Sequence, residues 1–245
     1  MYQVFYDGTF NGLLTLYDYF DKGLEIETVV NRAIEKNFQP YIFQFEVETD
    51  RDIADSVTKK ILLIGGEEVL KKIYLASLAD SDKNEIIILD YIKLLFTDIE
   101  LVSNLSIETV IEIEKCIKRV FFERHKMLGF IRFSELYDGT MVSFISPKYN
   151  VLSLLGGHFK RRFPDIRWAI FDKKRGMVGY YFRYSFEVSY YESIDELEYS
   201  ANENKVRDVW KVFFDSIAIK ERLSYERQVS KVPLRVREDM LEFGG

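Results

Sequence analysis

Residues 141–182 read MVSFISPKYNVLSLLGGHFKRRFPDIRWAIFDKKRGMVGYYF. The run MVSFIS is β-rich. Ser146-Pro147 then signals a helix start, with serine as cap and proline at the first helical position. The spacing of Val151, Leu152, Leu154, Leu155 and Phe159 predicts a helix over about 148–162, ending at Phe163-Pro164. RWAIFD (167–172) and MVGYYFR (177–183) read as two strands joined by the turn Lys173-Lys174-Arg175-Gly176. Upstream, residues 130–136 pair with 140–146 around Asp138-Gly139, a tight hairpin signal. The order strand, strand, helix, strand, strand predicts an α+β fold. Its core is an antiparallel sheet with a helix on one face, packed with a helical subdomain. A further strand-like run, FEVSYY, follows at 186–191.

Working outward, the tetrapeptide YDGT occurs at 6–9 and again at 137–140. The first copy follows the β-rich YQVFY and precedes Phe10, Leu13, Leu14, Tyr17 and Phe20 at helical spacing, so it reads as strand, turn and helix cap. The second sits between two strands. Four shared letters without similarity around them are not a repeat. Helices are expected at about 50–64, 66–79, 82–97, 105–127 and 202–222, with weakly patterned chain at 24–49. No linker rich in Gly, Ser or Pro divides the chain. One compact body over 1–245 is therefore expected, with a helical part at about 50–127 and a sheet part at about 1–20 plus 128–223.

The chain has 245 residues, 47% hydrophobic and 30% charged, a globular composition with enough apolar mass for a core. The single cysteine, Cys116, excludes an intrachain disulfide framework and a CxxC zinc site, and its place in a helix predicts a small buried hydrophobe. The opening MYQVFYDG lacks a signal-peptide pattern and no apolar run reaches ~18 residues, so a cytoplasmic protein without membrane contact is expected. The net charge of −6 is unevenly spread. Residues 125–185 hold eleven basic and four acidic side chains, a basic block inside an acidic chain. Such segregation suits a polyanion at one face, or pairing with the acidic remainder of the fold.

The basic block also carries the candidate chemistry. Lys160, Arg161 and Arg162 crowd the end of the predicted helix, where cations suit the helix dipole and also make a phosphate-contacting patch with Arg167. Lys173, Lys174 and Arg175 add three cations at a hairpin tip. Trp168, Tyr180, Tyr181, Phe182 and Tyr184 lie in the neighbouring strands, and aromatics among arginines suit base stacking on single-stranded or distorted nucleic acid. Half of them must instead fill the core, because strand neighbours face opposite sides. Gly156-Gly157 inside a helix needs a reason, either tight packing or close approach of a ligand. His158 is the candidate acid–base group, with Asp7 or Asp172 as carboxylate partner. No GxxxxGK[ST], GxSxG or HExxH pattern is present, and two histidines with one cysteine make no metal site; no cofactor is expected.

YDGTFNGLLTLYDYF, GFIRF, ISPKYNVLSLLGGHFKRRFPD, the run from Trp168 to Gly176 and WKVFFDSIAIKER together resemble a bacterial family of unknown function described as probable DNA metabolism proteins. The likeness runs from Tyr6 to Phe243, and Arg132, Ile219 and Arg222 are among its matching positions. Near the end Lys231-Val232-Pro233 stands where relatives carry a histidine before Met-Pro, so no role carries over there. Members are often encoded beside a radical-SAM protein of DNA repair or modification, and some are fused to a uracil-DNA glycosylase-like module. The resemblance implies a DNA-binding accessory protein working with a radical-SAM partner. Its phosphate contacts would be Arg132, Lys160, Arg161, Arg162, Arg167, Lys173, Lys174 and Arg175. Two alternatives stand beside it: an enzyme acting on DNA through His158, and a module whose acidic helical part, 50–124, docks on the radical-SAM protein.

Overall fold

The computed structural model describes residues 2–31, 43–79, 83–193, 197–217 and 224–243. The chain divides into two compact units, Met1–Phe121 and Phe122–Gly245.

In the first unit, β1 (Tyr2–Tyr6) leads into α1 (Phe10–Asp21). Asp7 accepts from the Thr9 N–H at 2.9 Å and from its hydroxyl at 2.8 Å, and Gly8 takes the left-handed φ of 76° that the turn requires. Thr9 then caps α1, accepting from the Gly12 N–H at 2.9 Å. The helix returns the chain to the start of β2 (Ile26–Asn31), so β1 and β2 are parallel. β3 (Phe43–Glu46) pairs parallel on the other side, giving the order β2-β1-β3. Tyr2–Tyr6 thus form the central strand of a three-stranded sheet within the first unit. Most of residues 24–49 is strand where described, and 32–42 lie outside the described residues.

Helices α2 (Arg51–Ser77), α3 (Asn84–Thr97) and α4 (Glu108–Phe130) follow, α4 running across the unit boundary. The break expected near residue 65 is real. Gly66 stands at φ 71° inside α2, a backbone state that interrupts the helix and suits glycine. Ile61, Ile73, Ile88, Leu89, Ile92 and Ile113 are fully buried. In α4, Val110, Ile117 and Val120 are buried, whereas Phe121 is exposed. Cys116 is the expected small buried side chain; its thiol donates to Asn84 Oδ1 at 3.3 Å, and burial pushes its pKa up.

The second unit holds a five-stranded sheet in the order β4-β5-β6-β7-β8. Its strands are β4 (Ser134–Glu135), β5 (Met141–Ile145), β6 (Trp168–Asp172), β7 (Met177–Phe182) and β8 (Ser185–Tyr190). The hairpins around 138–139 and 173–176 are present, but the sheet is mixed rather than antiparallel, because β5 and β6 pair in parallel. The cause is α5 (Leu152–Arg162), which occupies the connection and carries the chain back across the sheet before β6 begins. The helix also starts four residues later than Ser146-Pro147 suggested. Residues 147–148 are instead held by side chains outside the helix: the Lys148 N–H donates to buried Glu123 at 2.6 Å, and the carbonyls of Pro147 and Lys148 accept from Arg175 at 3.3 and 2.9 Å.

Strand alternation sorts the aromatics. Trp168 and Tyr181 are buried toward α5, stacked with centroids 5.1 Å apart, and Phe159 of α5 and Phe186 of β8 pack on Trp168. The Gly156 question has a packing answer. A Cβ there would lie 2.3 Å from the Phe186 ring, and one at Gly179 on β7 would lie 2.9 Å from it. The two glycines make the space that Phe186 fills.

α6 (Ala201–Ile217), α7 (Tyr225–Lys231) and α8 (Leu234–Arg237) complete the unit. Buried carboxylates tie α6 and α8 to it: Glu123 accepts from Arg235 at 2.8 Å, and Glu203 accepts from the Glu135 N–H at 3.0 Å and from Arg207 at 3.1 Å. The expected continuation of α6 to 222, with Ile219 and Arg222, lies outside the described residues. Among the described residues no helix is long and apolar enough to cross a membrane.

Candidate nucleic-acid interface

The β6–β7 turn is a closed internal structure. Asp172 is fully buried and accepts from Arg175 Nη1 at 2.9 Å and from the Lys174 and Arg175 N–H groups at 3.0 and 3.3 Å. Burial raises the Asp172 pKa, and the guanidinium and those N–H groups pull it back. Arg175 is itself only 5% exposed. Its planar fork serves the carboxylate on one side and the 147–148 carbonyls on the other, a geometry lysine cannot copy. Asp172 is therefore anchored to Arg175 and does not face His158 as an acid–base partner.

Several predicted phosphate contacts meet carboxylates of their own chain. Arg132 pairs with Glu242 at 2.8 Å and Lys173 with Asp239 at 2.5 Å, both carboxylates being nearly buried. The two cations line a cavity of about 140 Å³ together with Glu238 and Asp239. Lys174 is exposed at the turn, its ammonium 3.4 Å from the Lys148 carbonyl.

The other stretch behaves differently. Lys160, Arg161 and Arg162 are exposed on the last turn of α5. Lys160 Nζ donates to the Tyr184 carbonyl at 2.7 Å, which places this helix end at the β7–β8 turn. That turn brings Arg183, and the entry to β6 brings Arg167, whose guanidinium also meets exposed Asp138 at 3.3 Å. Arg161, Arg162 and Arg183 make no ion pair among the described residues. Residues 160–162 and 173–175 thus stand at opposite ends of β6 and β7, roughly 15–20 Å apart at ~3.3 Å per strand residue. The two predicted cation groups do not form one patch; 160–162, 167 and 183 do.

The sheet face away from α5 carries the outward aromatics. Tyr180 is 41% exposed and Phe182 37%, their rings 6.3 Å apart. The guanidiniums of Arg167 and Arg183 lie 5.8 and 4.9 Å from the Phe182 ring centre. Phe144 and Phe171 stack further along the same face. Sequence reasoning missed Arg183 because it placed it inside the strand 177–183; β7 ends at Phe182 and β8 starts at Ser185, which puts Arg183 at the hairpin tip.

His158 is half-buried on α5, its pKa lowered by burial and by Arg124, Arg162 and Arg161. Its neighbours are cations, and Asp7 belongs to the first unit, where Thr9 and Thr49 occupy its carboxylate. Of the three predicted catalytic residues, His158 and Asp172 lie in the second unit and Asp7 in the first. Among the described residues no group of three or more His, Cys, Asp or Glu is placed to hold a metal ion.

No curated protein and no solved structure matches the chain. A family model does, over residues 82–242, and the chain belongs to that family, DUF4130, a domain of unknown function.

Proposed function

We propose that this is a DNA-binding accessory protein of DNA repair or modification, holding DNA for a radical-SAM partner. The resemblance described above supports the partner and the nucleic acid. The observation that carries the reading is the exposed cluster of Arg161, Arg162 and Arg183, which make no ion pair among the described residues, at the end of a sheet whose outward face carries Tyr180 and Phe182. Cations attract phosphates whatever the base sequence, and exposed rings offer stacking to unpaired bases.

Titration of a labelled oligonucleotide with the full chain tests it. Affinity is expected to fall steeply with salt, and Arg161→Glu with Arg162→Glu is expected to weaken binding at least tenfold. Absence of binding at low salt, or binding indifferent to the reversal, refutes the proposal. A second reading, docking on the radical-SAM protein, draws support from Leu63, 87% exposed on α2 beside Leu62 and Ile64. Co-purification of the pair without DNA affinity in this chain would select it. The enzyme reading rests on His158, whose charged neighbours are Arg124, Arg161 and Arg162, and activity on damaged oligonucleotides lost in His158→Ala is its test.

A further inference from the structure

A groove of about 220 Å³ lies between the Pro164–Arg167 segment and the β7–β8 turn. We infer that it takes a single unpaired nucleobase, with the adjoining phosphates on Arg161, Arg162 and Arg183; the inference rests on the DNA-binding reading above.

Size is the first argument. The groove is smaller than the ~300–1,000 Å³ of clefts for drug-sized ligands, and suits one planar ring system. Its lining is the second. Ile166, Phe182 and Tyr184 supply exposed apolar surface, with Tyr184 at 67%. The Arg167 and Arg183 guanidiniums lie against Phe182, so rings and guanidinium planes, the two surfaces on which bases stack, occur side by side. Asp165 also lines the groove and offers an acceptor to the exocyclic amino group of cytosine or adenine.

The turn itself is the third argument. Arg183 and Tyr184 are its two central residues, at φ 47° and 68°. A two-residue hairpin turn with both centres left-handed favours Asn-Gly, and a bulky residue there is an outlier. The sequence gives up local stability and presents a guanidinium and a ring at the tip. Lys160 holds the Tyr184 carbonyl and so fixes the turn against α5. A base within an intact duplex is stacked and paired and does not reach such a groove, so the occupant is single-stranded or extruded.

Fluorescence anisotropy of the full chain with a labelled single strand and the duplex of the same sequence, at one fixed salt concentration, tests this. The single strand is expected to bind about tenfold tighter or more. Tyr184→Gly keeps the left-handed turn and removes the ring; it should weaken single-strand binding about tenfold, within the range for losing one stacked base, leave duplex binding unchanged and not lower the melting temperature. Phe182→Leu, which retains apolar volume without an aromatic face, should give the same split. Equal binding of both forms, or equal loss from both in these variants, overturns the base site. If Arg161→Glu with Arg162→Glu still weakens both forms, the DNA-binding reading survives that outcome. If neither form binds, both readings fall.

Discussion

A Cβ on Gly156 would stand 2.3 Å from the Phe186 ring, whereas one on Gly157 meets only Arg161 Nη1 at 3.8 Å. Two adjacent glycines therefore differ in purpose, which adjacency in sequence conceals. Gly156→Ala should destabilise the protein by about 1–3 kcal/mol through overpacking, and Gly157→Ala should stabilise it by about 0.5–1 kcal/mol through helix propensity. Urea unfolding of the pair checks this, and similar shifts for both would contradict it. His158 allows a second test. Burial and the nearby arginines depress its pKa from the ordinary 6.5, so the unfolded chain protonates first as pH falls. Stability should decline below about pH 6.5 and continue to do so until the folded imidazole also protonates. His158→Gln should flatten that part of the profile, as read by thermal melts between neutral and mildly acidic pH.

Turns are the elements where sequence and structure meet most closely. Asp7-Gly8-Thr9 and Asp138-Gly139-Thr140 form the same local structure, each aspartate accepting from the N–H and hydroxyl of the threonine two residues on. One continues into a helix and the other into a strand, as their flanks predicted. The β6–β7 turn was legible as a hairpin, but its interior was not. Arg175→Ala leaves a buried carboxylate without its partner and should cost about 3–5 kcal/mol, measured by chemical denaturation. Arg175→Lys should recover only part, since an ammonium cannot serve the carboxylate and two carbonyls in one plane. At the neighbouring turn, Tyr184→Gly should raise stability by about 1 kcal/mol, because glycine adopts φ 68° without a Cβ clash. A lower melting temperature would show that the tyrosine ring stabilises the turn.

Across the molecule, the basic block is partly internal and partly free. Salt dependence separates the two classes. Loss of one phosphate contact lowers the slope of log affinity against log salt by about 0.9 on duplex DNA and about 0.7 on single strands. Arg161→Gln, Arg162→Gln and Arg183→Gln should each do so, and Arg132→Gln, paired with Glu242, should not. An unchanged slope in all three would place the contacts elsewhere. Local patterning made most of the elements readable: helical spacing in 84–97 and 108–130, strand alternation at Tyr180, Tyr181 and Phe182, the glycine break in α2 and the turns. These depend on backbone sterics and side-chain period, which act over a few residues.

The identity of the elements and the segregation of charge along the chain are therefore legible in the order of amino acids alone. Strand pairing, the outward aromatics in company with cations, and the arginines matched to carboxylates emerge only in the folded chain. Arg132 meets Glu242 across 110 positions, and β5 lies parallel to β6 because a helix intervenes. Such pairings depend on separation in space and on loss of water around the charges, and neither is written in local spacing.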